Sequence, residues 1–272
     1  MDRLDNLIDD QGRQVKTHII MGSGLSAVVI KKDDKAIKMA IVHGYDSAEQ
    51  VEDNRAQIRR EQRAYRRLQP DVTRPVTGIL PCLGMPGDTI ELQLMSNGTL
   101  AEWIKHRLPP TFTLQKRWIR QLAVAVSNVH ARRVIHSDIL LRNVLLDSSL
   151  NAILADFGAA TVLPLGSVMT DAVDRYNCSM WTDLFQLGLV FYSIVTGLHP
   201  GVGIYPGKSS VALLPPRSKL PYVAGLWAGQ IIEDCWTPGA YGAAGAAGII
   251  AKLDRMEAVA NIYLQCGPLR RR

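Results

Sequence analysis

Two acids and one amide, Asp138, Asn143 and Asp156, stand in polar breaks of an otherwise apolar stretch from His136 to Gly158. The stretch reads H-S-D-I-L-L-R-N-V-L-L-D, then a short turn, then A-I-L-A-D-F-G. Carboxylate and amide oxygens are hard ligands of the kind Mg²⁺ takes when it also carries substrate phosphates. Of the three, Asp138 stands in the loop before the other two, where it can accept a proton. Together they form a layout for phosphoryl transfer. A hairpin must position it: the apolar runs Val144–Leu146 and Ile153–Ala155 suit short half-buried strands, and Ser148–Asn151 supplies the turn. Folded that way, Asn143 at the start of one strand comes near Asp156 at the end of the other.

The order and spacing H-x-D-x-x-x-x-N followed by D-F-G resemble the catalytic loop and metal-binding motif of the protein-kinase superfamily. An isolated D-F-G is mostly an Asp-Gly turn, and a lone His beside Ile135 is mostly a satisfied core residue. The rest of the chain must therefore supply the partners.

Composition sets the bounds. At 272 residues and 47% hydrophobic, the chain suits one two-lobed domain with an ample core. It has no run of about 18 uncharged apolar residues. The acidic Met1–Asp10 start lacks the apolar stretch of a secretory signal. The expectation is a cytoplasmic or nuclear protein with no transmembrane segment. Cys82, Cys178, Cys235 and Cys266 are scattered, with no C-x-x-C pair, and read as reduced thiols. The net charge is +6, with basic residues bunched in Arg55–Arg67 and Arg270–Arg272. Such a face can attract nucleic acid, but aromatic residues for base stacking are not interleaved there. Nucleic acid is not expected as a partner.

Upstream, Gln14–Met21 predicts a strand running into Gly22-Ser23-Gly24-Leu25-Ser26-Ala27. This G-x-G-x-x-A pattern fits more than one nucleotide fold. A dinucleotide fingerprint needs the glycines to open a helix. Here Val28-Val29-Ile30 follows, a strand, so the glycines belong to a hairpin whose backbone N–H groups can approach phosphates. Gly207-Lys208-Ser209 hints at a P-loop, but Val202 stands where that motif requires its first glycine. Lys35–Met39 predicts a second strand, carrying Lys38. Ser47–Leu68 predicts a long helix free of Pro and Gly, on which Ile58, Glu61, Tyr65 and Leu68 mark one inward face. A carboxylate on that stripe needs a partner, and Lys38 is the candidate. Ile79–Gly84 and Thr89–Met95 read as strands, and Leu114–Arg132, Val223–Cys235 and Gly242–Leu264 as helices.

The resemblance covers about residues 14–265. It implies an α+β, bilobal kinase-like fold in one domain: a β-rich small lobe with one helix over residues 1–95, and a mainly helical large lobe over 96–272. It implies that Gly22, Ser23 and Gly24 cover the phosphates of ATP, and that Lys38, held by Glu61, grips them. Val29, Ala36 and Leu145 would sandwich the adenine, Leu92 would line the back of the pocket, and backbone groups of Gln93 and Met95 would bind the adenine edge. Asn143 and Asp156 would hold Mg²⁺, while Asp138 orients an acceptor hydroxyl on a protein substrate. Asp183, in the D-x-x-x-x-G of a central helix, would anchor the catalytic loop. Ser137 replaces the arginine of H-R-D, which argues against phosphorylation of the following segment as a switch. Leu140 replaces the lysine of serine/threonine kinases, and Arg142 stands two residues on, where tyrosine kinases carry an arginine. No A-P-E precedes Asp183, and the segment looks shortened, with no clear arginine near the end to pair with the missing glutamate. The expected activity is protein phosphorylation, on Ser/Thr rather than Tyr. The alternatives are a pseudokinase acting as a nucleotide-binding or scaffold module and, third, a small-molecule phosphotransferase. Oligomeric state is left open.

Overall fold

The computed structural model describes residues 7–8, 12–106, 109–203 and 214–266, with side chains to residue 261. Gly207–Ser209 and Arg270–Arg272 lie outside the described residues. The N-terminal part is an antiparallel sheet of β1 (Ile20–Ser23), β2 (Ala27–Lys32), β3 (Lys35–Ala40), β4 (Cys82–Gly84) and β5 (Thr89–Gln93), in the order β1-β2-β3-β5-β4. The helix α1 (Ala48–Leu68) connects β3 to β4. A helical C-terminal part follows: α2 (Leu100–His106), α3 (Phe112–Ala131), α4 (Met180–Thr196), α5 (Gly229–Trp236) and α6 (Ala246–Cys266). Between α3 and α4 lie the small pairs β6–β9 (Val134–Ile135 with Thr161–Val162) and β7–β8 (Val144–Leu146 with Ala152–Leu154). This is the α+β, bilobal arrangement expected. No helix among the described residues is long and apolar enough to cross a membrane.

Local chemistry explains the elements that matter. Ser47 caps α1 in a reciprocal box: its hydroxyl accepts from Gln50 N at 3.2 Å, and Gln50 Oε1 accepts from Ser47 N at 3.0 Å. One face of α1, with Ile58, Glu61, Tyr65 and Leu68, is buried as the periodicity requires. The β7–β8 hairpin closes through the Asp147 carboxylate, which accepts from Ser149 N and Asn151 N, both at 2.8 Å. α4 is apolar nearly all round and lies in the core, packed against α3 and α5.

Two expectations are corrected. Of the strand expected over Gln14–Met21 only Ile20 and Met21 are in β1, and a single 3₁₀ turn, Thr17–Ile19, precedes it. Val15 N here donates to Leu7 O at 2.7 Å and not to a strand neighbour in β2. The helix expected over Val223–Cys235 begins only at Gly229. Residues 223–228 form successive turns, with Leu226 N on Val223 O and Gly229 N on Leu226 O, and Gly225 at φ +88° blocks helical continuation.

Gly188 on α4 is where α5 comes closest. A Cβ there would lie 2.8 Å from both Cys235 Cβ and Trp236 Nε1. Gly188→Ala is therefore expected to cost about 1–3 kcal/mol by overpacking, read as a lower urea midpoint with an unchanged slope. An unchanged midpoint would show that this packing is slack.

Candidate active site

The site forms where β3, α1 and the turn after β8 converge. Lys38 lies in mid-β3, paired with Val29 of β2 and Ile90 of β5, and is buried. Its Nζ is 2.6 Å from Glu61 Oε2 on α1 and 2.7 Å from Asp156 Oδ1. Glu61 is 1% exposed and also accepts from Phe157 N at 3.1 Å. Asp156 has φ +63° and accepts from Gly158 N at 3.2 Å. Three residues far apart in sequence thus meet at one ammonium group. An aromatic stack backs them: Phe157 packs edge-on to Tyr65 at 5.3 Å and tilted against His136 at 4.8 Å.

Below this group, Asp138 Oδ2 accepts from Asn143 Nδ2 at 2.8 Å and Arg142 Nη2 at 3.1 Å. Asn143 also donates to the Asp138 carbonyl at 2.9 Å, and its own carbonyl accepts from Ala155 N at 2.8 Å. The hairpin therefore brings Asn143 to the foot of Asp156, as its strands implied. The remaining carboxylate oxygen of Asp156 and the amide oxygen of Asn143 are the hard donors on offer. Among the described residues no three His, Cys, Asp or Glu groups form a metal cage by themselves.

The catalytic-loop backbone is held from α4. Asp183 is fully buried and accepts from His136 N and Ser137 N, both at 2.8 Å, and lies 2.9 Å from His130 Nε2. Ser137 has φ +68°, a left-handed conformation these bonds stabilise. Gln186, one turn further along α4, accepts from Ile139 N at 3.0 Å and donates to Ser137 O at 3.2 Å. The sequence reading passed over Gln186. A buried-face amide three residues after Asp183, inside an apolar helix, was the available signal.

The residues expected around adenine lie on β2, β3, β5, β7 and the chain just after β5. Ala36 faces Leu92 across β3 and β5, and both are buried. Met95 is buried after β5, while Val29 and Leu145 are half-buried. The Gln93 N–H donates to Pro81 O at 3.0 Å, leaving its carbonyl as the candidate contact. Gly22, Ser23 and Gly24 form the β1–β2 hairpin, closed by Gly24 N on Ala27 O at 2.8 Å. Nothing would lie within 4 Å of a Cβ at Gly22, so the backbone there is open to a ligand.

The protein kinase domain family matches residues 15–205. The chain belongs to the protein kinase family. Phosphorylase b kinase gamma catalytic chain, liver/testis isoform, of Mus musculus is 26% identical over 207 residues, 66% of this chain and 50% of that protein. Serine/threonine-protein kinase PLK4 of Danio rerio is 29% identical over 123 residues, covering 40% and 13%. Cell cycle serine/threonine-protein kinase CDC5/MSD2 of Saccharomyces cerevisiae is 30% identical over 125 residues, covering 41% and 18%. The chain spans half the length of these relatives or less.

Only β9 and turns separate Gly158 from α4, with no helix over 163–179. Further on, Arg217 Nε and Nη2 make a forked pair with Glu233 of α5 at 2.7 and 2.8 Å.

Electrostatics at the ammonium group follow from burial and pairing. Burial opposes the charge on Lys38, but the carboxylates of Glu61 and Asp156 overcome it and hold the lysine above its ordinary value. Burial pushes Glu61 up, against the pull of Lys38. For Asp156 burial also pushes up, yet the Lys38 ammonium wins and holds the acid below the ordinary carboxylate range. A depressed acid contributes stability that is present above its unfolded value, about 4, and lost as pH falls through the folded value. The stability gap between the parent and Asp156→Asn is therefore expected to be open near neutral pH and to narrow below about pH 4. Urea titrations across that range measure it, and a gap of constant size would contradict the assignment.

Proposed function

We propose that the protein is an ATP-dependent protein kinase that transfers the γ-phosphate of ATP to a hydroxyl on a protein substrate. The observation that carries this reading is the ammonium of Lys38, held between Glu61 and Asp156 although Lys38 and Asp156 are 118 residues apart. In that arrangement Lys38 presents a fixed positive charge to the phosphates, and Glu61 keeps it from turning away. Asp138, oriented by Asn143 and Arg142, aligns the acceptor hydroxyl and takes its proton. Gly22, Ser23 and Gly24 close over the phosphates with backbone N–H groups. Adenine lies among Val29, Ala36, Leu92, Met95 and Leu145, with the Gln93 carbonyl at its edge. Asp156 and Asn143 would hold Mg²⁺, which when bound supplies charge neutralisation at the transferring phosphoryl group. Most of the barrier lowering comes from positioning and preorganised charge.

The names of the similar proteins favour Ser/Thr as acceptor. Arg142 brings to Asp138 a positive charge that Leu140 does not provide. The pseudokinase reading is disfavoured by the meeting of Lys38, Glu61 and Asp156 and by the kinase names of the similar proteins. Lys38→Met and Asp156→Ala are expected to abolish transfer from radiolabelled ATP while the far-UV spectrum is retained. Asp138→Asn should lower kcat by about 10²–10⁴ and leave nucleotide-induced thermal shifts intact. Phosphoamino-acid analysis of the product identifies the acceptor. Undiminished phosphorylation in Lys38→Met would refute the proposal.

A further inference from the structure

The segment between β9 and α4 has no helix to stiffen it, yet both its ends are pinned. The pin is Asp174, whose carboxylate is buried with no Lys or Arg at ion-pair distance among the described residues. Oδ1 accepts from Tyr176 N at 2.7 Å and Cys178 N at 2.8 Å, and Oδ2 accepts from Thr161 Oγ1 at 3.1 Å. The Asp174 N–H donates to Cys178 O at 2.8 Å, and Val173 bridges to Ser179, the N-cap of α4. One carboxylate thus ties the end of the segment both to itself and to β9.

Two paths run from Asp174 to the catalytic loop. Thr161 pairs with Ile135 of β6, three residues before Asp138. Cys178 lies against the side chain of Ser137, the residue next to Asp138. The contact from Ser137 reaches only the Cys178 side chain and leaves the segment's backbone N–H groups to Asp174. Burial pushes the Cys178 thiol up to about 11, with the Asp174 charge adding to it, so the thiol stays protonated and offers no charged anchor. Asp174 carries the bonds that shape the segment's backbone over 174–178. Its neighbours Val173 and Tyr176 are exposed, with the Arg175 guanidinium 4.7 Å over the Tyr176 ring.

We propose that Asp174 is a positioning residue for the protein acceptor, holding residues 173–178 as a fixed ledge beside Asp138. The proposal rests on the protein-kinase reading. A ledge acts on the acceptor and not on the nucleotide, which separates it from a merely structural role. A side chain that only stabilised the fold would move both Michaelis constants and the melting temperature together.

The test is steady-state kinetics on the full chain with a protein acceptor such as casein, comparing Asp174→Ala, Asp174→Asn and Thr161→Val. Asp174→Ala should raise KM for the acceptor about tenfold, the effect of losing a hydrogen-bonded anchor, with KM for ATP unchanged. Thr161→Val cuts only the tie to β9 and should fall between this variant and the parent. Asp174→Asn keeps one acceptor oxygen, and its amide can donate to the Thr161 hydroxyl, so it should restore most of the parent KM. Equal shifts in both Michaelis constants, or none in Asp174→Ala, overturn the proposal while the kinase reading stands. An unsubstituted chain that transfers no phosphate to any acceptor overturns both.

Discussion

The site depends on one ammonium group being kept out of water without losing its charge. Lys38 is buried, and burial alone would discharge it. Glu61 at 2.6 Å and Asp156 at 2.7 Å prevent that. The constraint reaches well beyond the three side chains. Glu61 can deliver its carboxylate only if α1 packs its Ile58–Tyr65–Leu68 face inward, and Asp156 only if β8 ends in a left-handed turn. An isolated buried lysine would be several kcal/mol out of place. Sheet, helix and turn are therefore correct together or not at all.

A second constraint acts from below. The catalytic loop is irregular backbone in the interior, where unpaired N–H groups are costly. Asp183 and Gln186 meet that demand from the buried helix α4, binding the N–H groups of His136, Ser137 and Ile139. This also makes a positive φ at Ser137 tolerable. α4 is the most completely buried helix of the molecule, so the loop inherits the rigidity of the core. A site that must place a proton acceptor within a fraction of an ångström gains from such an anchor.

Much of this was legible in the sequence because the signals were redundant. Glu61 was readable from a carboxylate on an apolar helical stripe, and the β7–β8 hairpin from two apolar runs around a turn. The approach of Lys38 to Asp156 was not derivable from local pattern. It followed from motif order, since no propensity encodes a contact between residues 118 positions apart. What failed to show was tertiary. Nothing near Gln14–Met21 says that Val15 prefers Leu7 to β2. The Val223–Leu226 stretch reads as helical until Gly225 takes a conformation that ends it. Gln186 was hidden for the same reason: an amide inside an apolar helix declares a partner but not which one. Asp174 lay in a segment read mainly for what it lacks, and a shortened segment gives no periodicity to reason from.

The two halves of the site are joined through one dipeptide. Asp156 closes the ionic contact to Lys38, and the next residue, Phe157, closes the aromatic contact from Tyr65 to His136 while its N–H holds Glu61. His136 is in turn bonded through its backbone N–H to Asp183. A rotation of this dipeptide would break the charge pair, strip a donor from Glu61 and open a void between Tyr65 and His136 in one step. Packed interiors do not accommodate such a change gradually, because a void there forfeits its contacts outright. The seating of α1, the pairing of the ammonium group and the support of the catalytic loop thus share the contacts of one dipeptide. In the His136–Gly158 stretch the two acids are each followed by a fully buried apolar residue, Asp138 by Ile139 and Asp156 by Phe157, which locks the acid's backbone in place.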